Sequence, residues 1–114
     1  MSGAENPTVL TPADLGSALG EVATVVQFSS TFCQPCRATR LVVERAVATW
    51  PGVRHVELDV ARDTALGQRL EIAVTPTVLV LDAAGRVRRR ATGIPTLAQV
   101  RAALAEVTAV TPRT

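Results

Sequence analysis

The chain has 114 residues, a length that suits one domain with its own hydrophobic core. Hydrophobic residues make up 47% of it, within the globular range, and a formal net charge of +2 gives only a weak overall field. The basic cluster, Arg86 and residues 88–90, has no aromatic neighbour for base stacking, so we expect a solvated strand edge and no nucleic-acid partner. No apolar run approaches the ~18 residues of a membrane span, and no membrane contact is expected.

The first twelve residues have no positively charged segment leading into an apolar one, so no signal peptide is predicted. The expected location is the cytoplasm, where paired thiols are kept reduced. We predict one domain over residues 1–114, present as a monomer. Residues 1–7 and 110–114 are expected to be loose tails.

The first half of the chain predicts a helix, a strand and a second helix. Thr11 caps a short helix from Pro12 to about Gly20, where glycine can end it. The apolar, β-branched run 23–28 predicts a central strand. A polar turn follows, and the second helix runs from Cys33 to about Thr49.

The second half alternates strands and helices and contains one hairpin. The predicted elements are a strand at 53–59, a helix at 62–71, a buried strand at 77–81, a turn at 82–85, an edge strand at 87–92 and a helix at 96–107. This order predicts an α/β fold with a mixed sheet and helices on both faces.

Cys33 and Cys36 are the only cysteines, and they lie three residues apart at the start of the second helix. That spacing brings two Cβ atoms to roughly 5–6 Å on one helix face, so a disulfide can close across one turn. So short a loop removes little entropy from the unfolded chain, which favours reaction chemistry over a structural role. The pair is therefore a candidate redox centre that needs no other cofactor.

The position of each cysteine in the helix predicts its role. Cys33 lies at the helix N-terminus, where unpaired N–H groups and the helix dipole stabilise a thiolate. Cys36 lies one turn deeper, where burial disfavours its anion. Cys33 is thus the expected nucleophile and Cys36 the resolving thiol. Between them, Pro35 stiffens the turn and Gln34 adds a polar but neutral side chain.

A metal site is the weaker interpretation of the pair. His55 is the only histidine and lies far along the chain from the two cysteines, whereas structural zinc needs four ligands. A metal shared between two chains through two cysteine pairs remains an alternative.

These features together resemble the thioredoxin family. The matching stretches are Val26–Phe28, Phe32-Cys33-Gln34-Pro35-Cys36-Arg37, Val74-Thr75-Pro76-Thr77, Gly85 and Gly93, and the likeness covers about residues 8–109. The resemblance implies a thioredoxin fold, disulfide-bearing client proteins, and a thioredoxin reductase or a similar electron donor.

The resemblance also implies a substrate-binding rim around the cysteines. It implies that the Thr75–Pro76 bond is cis and faces them, which leaves the backbone of Thr75 open to an extended peptide. Gly93 is implied to lie on the same rim, and Phe32 stands where relatives usually carry tryptophan.

The chain also departs from the family pattern. Gln27 stands where thioredoxins usually carry a buried aspartate held to accept the proton of the deeper cysteine. Glutamine cannot ionise, so slow resolution at Cys36 is expected. Leu41 replaces a kinking proline, and the family's lysine opposite the aspartate has no counterpart because the chain contains no lysine.

Three functions follow in order of preference. The first is a protein-disulfide reductase that cycles Cys33 and Cys36, favoured by Pro35 and the absent leader. The second is a binding module for a dedicated partner, or an inter-subunit metal site, with slow redox turnover because of Gln27. The third is an exported disulfide donor or isomerase.

Overall fold

The computed structural model describes residues 8–109, so the predicted tails lie outside the described residues. Its elements are α1 (Pro12–Leu15), β1 (Ala23–Ser29), α2 (Gln34–Ala48), β2 (Val53–Asp59), α3 (Thr64–Arg69), β3 (Thr77–Asp82), β4 (Val87–Thr92) and α4 (Leu97–Thr108). The predicted order of helices and strands is confirmed.

The four strands form one mixed sheet in the order β2-β1-β3-β4. β1 pairs in parallel with β2 and antiparallel with β3, and β3 pairs antiparallel with β4. β1 has strands on both sides and helices over both faces, which explains why all its residues are buried. The carboxyl end of this central strand leads directly toward α2.

Two apolar clusters, one on each face of the sheet, hold the helices in place. The first packs α1 and α3 against the sheet through residues that include Leu15, Val26, Phe28, Leu66, Leu70, Leu79 and Leu81. The second packs α2 and α4 through residues that include Val25, Val43, Ala46, Val78, Val80, Val100 and Leu104. The predicted α/β fold with helices on both faces is thus confirmed.

α1 is shorter than the sequence predicts. Thr11 and Asp14 form the expected capping box, but the helix ends at Leu15 and not near Gly20. Gly16 adopts a φ of +65°, and its N–H donates to the Pro12 carbonyl, which closes the helix with a left-handed residue. Gly16 therefore ends the helix before the chain reaches Gly20, the predicted end.

β4 is the exposed edge predicted for the arginine-rich segment, and its arginines are engaged within the protein. Arg86 and Arg88 both contact the Asp82 carboxylate, at 3.0 and 3.4 Å. The remaining contacts pair Arg89 with Glu106 and join Arg90 to the carbonyl oxygens of Leu70 and Glu71. The carboxylates of Asp82 and Glu106 thereby compensate about half of the positive charge of these arginines.

None of the helices within residues 8–109 combines the length and apolar character that crossing a membrane requires.

Candidate functional site

A tight junction between β1 and α2 positions the two cysteines. β1 ends at Ser29, and Phe32 adopts a φ of +58°, a conformation uncommon for a bulky residue. This left-handed residue turns the chain so that Cys33 becomes the N-cap of α2, with Pro35 in the first turn. The cysteines therefore sit at the positive end of the helix dipole, as predicted.

Cys33 and Cys36 form a disulfide, with a Cα–Cα distance of 5.2 Å. The backbone N–H of Cys36 points at Cys33 Sγ, 3.1 Å away, in the position of an N-cap hydrogen bond. Once the disulfide is reduced, the same N–H and the helix dipole both favour a thiolate on Cys33.

The two sulfur-bearing residues differ in burial. Cys33 is partly exposed, whereas Cys36 is 1% exposed beneath the first turn of α2. A partner disulfide can therefore reach Cys33 from solvent but cannot reach Cys36 directly. This is the asymmetry expected from their positions in the helix.

The loop before β3 lies opposite the cysteines. The Thr75–Pro76 peptide bond is cis, and Pro76 is buried while Thr75 is partly exposed. Thr75 Oγ1 lies 4.0 Å from Cys33 Sγ and 2.8 Å from Ser30 Oγ. The Thr75 hydroxyl thus lies beside Cys33 Sγ and is itself hydrogen-bonded to Ser30.

Gly93 is joined to the Thr75–Pro76 loop, and three exposed apolar side chains adjoin Cys33, Thr75 or Gly93 in the chain. The Gly93 N–H donates to the Pro76 carbonyl at 3.0 Å, and its φ of +81° explains why glycine is needed there. Phe32, Val74 and Ile94 are 96%, 52% and 53% exposed. Phe32 was predicted to bind substrate, whereas Val74 and Ile94 were not singled out from the sequence, although they flank Thr75 and Gly93.

Beneath Cys36, the fully buried Gln27 carboxamide bridges three groups. Its Nε2 donates to the Cys36 carbonyl at 2.8 Å and to Ser29 Oγ at 3.0 Å. Its Oε1 lies 3.1 Å from His55 Nε2. These contacts place a neutral, hydrogen-bonded side chain against the backbone of Cys36.

The thioredoxin family model matches residues 7–106. The chain belongs to the thioredoxin family. Chloroplastic thioredoxin z is similar over 96% of this chain and all of its own, with 22% identity and a TM-score of 0.75. A mutant thioredoxin from Halobacterium salinarum is similar over 98% and 99% of the two chains, with 18% identity and a TM-score of 0.72. No curated protein sequence matches.

In this thioredoxin-family chain, α2 runs without a break from Gln34 to Ala48. Leu41, the predicted substitute for a kinking proline, is 62% exposed and lies outside the core beneath α2.

The partner of Gln27 is His55, which the sequence analysis weighed only as a metal ligand. Burial is the largest influence on His55 and lowers its pKa. The nearby carboxylates of Glu57 and Glu44 oppose this effect without outweighing it. Within residues 8–109, no three His, Cys, Asp or Glu side chains gather as a metal site.

Glu57 and Arg40 extend this polar network toward the surface. Arg40 donates to both carboxylate oxygens of Glu57, at 2.6 and 2.8 Å, and Ser29 Oγ donates to Oε2 at 2.7 Å. The Arg40 guanidinium holds the pKa of Glu57 below its usual range, against the opposing effect of burial, and Ser29 adds to the lowering. Neither Glu57 nor Arg40 was singled out from the sequence.

Proposed function

We propose that the protein is a thiol–disulfide oxidoreductase that reduces disulfides in client proteins through Cys33 and Cys36. The observation that carries this proposal is the asymmetry of the pair. Cys33 is accessible and faces the Cys36 N–H at the start of α2, whereas Cys36 is buried one turn below it. One sulfur is thus suited to attack a client, and the other to attack the first sulfur.

The reaction has two exchange steps. The Cys33 thiolate attacks one sulfur of the client disulfide, forms a Cys33–client bond and releases the second client sulfur as a thiolate. Cys36 then loses its proton to water and attacks Cys33. The Cys33–Cys36 bond forms, the client leaves as a second thiolate, and two electrons have passed from the protein to the client.

Clients would dock on the rim around Cys33. We assign the contacts to Phe32, Gln34, Pro35 and the segments Val74–Pro76 and Gly93–Ile94. Phe32, Val74 and Ile94 supply exposed apolar side chains among these positions, and an extended peptide could pair with the backbone of Thr75. This predicts a preference for unfolded or extended segments around the client cysteine.

The oxidised pair needs an external source of two electrons for each cycle. A thioredoxin reductase or a similar dithiol donor would supply them in the cytoplasm, where thiol pools are reducing. The disulfide is then the only redox group that the protein brings to the reaction.

The wild type should reduce insulin disulfides with dithiothreitol as electron donor, and should do so faster than dithiothreitol alone. Precipitation of the free insulin B chain reports the rate, and a second assay replaces dithiothreitol with NADPH and a thioredoxin reductase. Cys33→Ser is the control and should match the background. If wild type also matches the background while its own disulfide opens and closes normally, the proposed reductase function is wrong and a binding role becomes the better account.

A further inference from the structure

The polar network behind Cys36 fixes the orientation of the Gln27 carboxamide. The Cys36 carbonyl can only accept a hydrogen bond, so the amide nitrogen must face it, as it does at 2.8 Å. Ser29 Oγ donates its single hydrogen to Glu57 at 2.7 Å and therefore accepts from the same nitrogen. Gln27 Oε1 is left facing His55 Nε2, which must carry a hydrogen.

This arrangement determines what His55 can do at each protonation state. The neutral ring donates from Nε2 to Gln27 and titrates at Nδ1. The protonated ring keeps the same hydrogen bond and adds a positive charge on the far side of the carboxamide from Cys36. His55 Nε2 thus donates to Gln27 in both protonation states, whereas the positive charge of the ring depends on pH.

Charged groups face His55 from its own strand, β2, and from α2, which packs against it. Glu57 lies on its own strand, Glu44 and Arg40 lie on α2, and β1 offers the neutral Gln27 and Val25. Glu57 and Arg40 form a bidentate ion pair, so their opposite charges largely cancel at His55. A charge gained by His55 therefore changes the local field substantially.

We propose that His55 is a positioning residue for the resolving step and acts on Cys36 through Gln27. Its Nε2–H keeps the donor end of the carboxamide against the first turn of α2, and its positive charge, when present, favours the Cys36 thiolate. The inference rests on the proposed reductase function, because it concerns the second exchange step. It gives this chain a titratable group behind the resolving cysteine where Gln27 itself cannot ionise.

The polar network behind Cys36 reaches solvent at its outer end. A cleft of about 300 Å³ lies between Ser30, Arg40, Glu57 and their neighbours, at the outer end of the same network. His55 need not receive the proton. It stabilises the anion that remains, while Cys36 attacks Cys33 and the client sulfur leaves as a thiolate with its electron pair.

The resolving step can be isolated with 4,4′-dithiodipyridine mixed in equal amount with the reduced protein. Cys33 releases one thiopyridone as the mixed disulfide forms, and Cys36 releases the second as it closes the internal disulfide. Stopped-flow absorbance gives both rates. The ratio of wild-type to variant rates at each pH cancels the behaviour of the reagent, which is common to both.

His55→Gln keeps an N–H donor but cannot titrate. Because burial depresses the pKa of His55, wild type gains its positive charge only below the ordinary histidine pKa. The ratio of second-phase rates, wild type over His55→Gln, should be near one at about pH 8. It should rise toward about tenfold as the pH falls and His55 becomes protonated, the effect of a coupling of about one pKa unit between the two groups. His55→Asn is the second variant, and thermal unfolding checks that each variant is folded.

His55→Phe removes the donor as well and should slow the second phase about tenfold even at pH 8, because the carboxamide loses its anchor. Arg54→Gln, an exposed change at the neighbouring position of β2, is the matched control and should equal wild type throughout. A ratio for His55→Gln that stays within about twofold as the pH is lowered from 8 through the protonation of His55 overturns the proposal. Release of only one thiopyridone by wild type would instead show that the reductase function itself fails.

Discussion

Cys36→Ser should convert the protein from a catalyst into a trap for disulfide substrates. The first exchange step needs only Cys33, which remains partly exposed and at the start of α2. The second step needs the Cys36 sulfur, and a serine hydroxyl is not acidic enough to replace it. Turnover in the insulin assay should fall by about 10³-fold or more, to background.

Mass spectrometry of Cys36→Ser after incubation with glutathione disulfide should show one glutathione on Cys33. Cys33→Ser is the matched control. Its remaining thiol belongs to a residue that is 1% exposed in wild type, so glutathione should add far more slowly. If Cys33→Ser instead forms the mixed disulfide readily through Cys36, the assignment of nucleophile and resolving thiol is reversed.

Gln27→Leu should destabilise the protein by about 1–3 kcal/mol, although leucine has a similar volume and is apolar in a buried position. The carboxamide is fully buried, and its loss leaves the His55 N–H without its acceptor and the Cys36 carbonyl without its side-chain donor. Such groups keep the cost of leaving water but lose the compensating hydrogen bond. Urea unfolding of the oxidised proteins measures the difference.

The same chemical change at an exposed site provides the control for Gln27→Leu. Gln68 lies on the exposed face of α3, and Gln68→Leu should shift the free energy of unfolding by less than about 0.5 kcal/mol. Equal or greater stability of Gln27→Leu would show that the buried hydrogen bonds contribute nothing beyond what an apolar side chain supplies.

The fold and the cysteine pair were predictable because their signals are local. The apolar strand, the capping residues Thr11 and Thr96, and the turn before Gly85 each specify an element within a few positions. The roles proposed for Cys33 and Cys36 rest on their places in one helical turn. The predicted end of α1 was wrong because two glycines could each stop the helix, and the earlier one does.

The network behind Cys36 could not be predicted because it depends on how separate strands pair. The parallel register sets Gln27 beside Glu57 and Val25 beside His55. No local sequence pattern encodes that register. The sequence alone therefore could not predict that His55 has Gln27 as its hydrogen-bond partner. One signal was present: Gln27 interrupts an otherwise apolar strand, and a buried polar side chain requires partners.

The most direct test of the account is the rate at which iodoacetamide alkylates each cysteine of the reduced wild type, followed from acid to alkaline pH. Tandem mass spectrometry separates the two sites. We expect Cys33 to react with a midpoint below about 8.5, the ordinary thiol value, because the helix start and the Cys36 N–H favour its thiolate. Cys36 should react at least about 100-fold more slowly because it is buried. Equal rates at the two sites, or a Cys33 midpoint at or above the ordinary value, would contradict the proposal of an activated nucleophile backed by a protected resolving thiol.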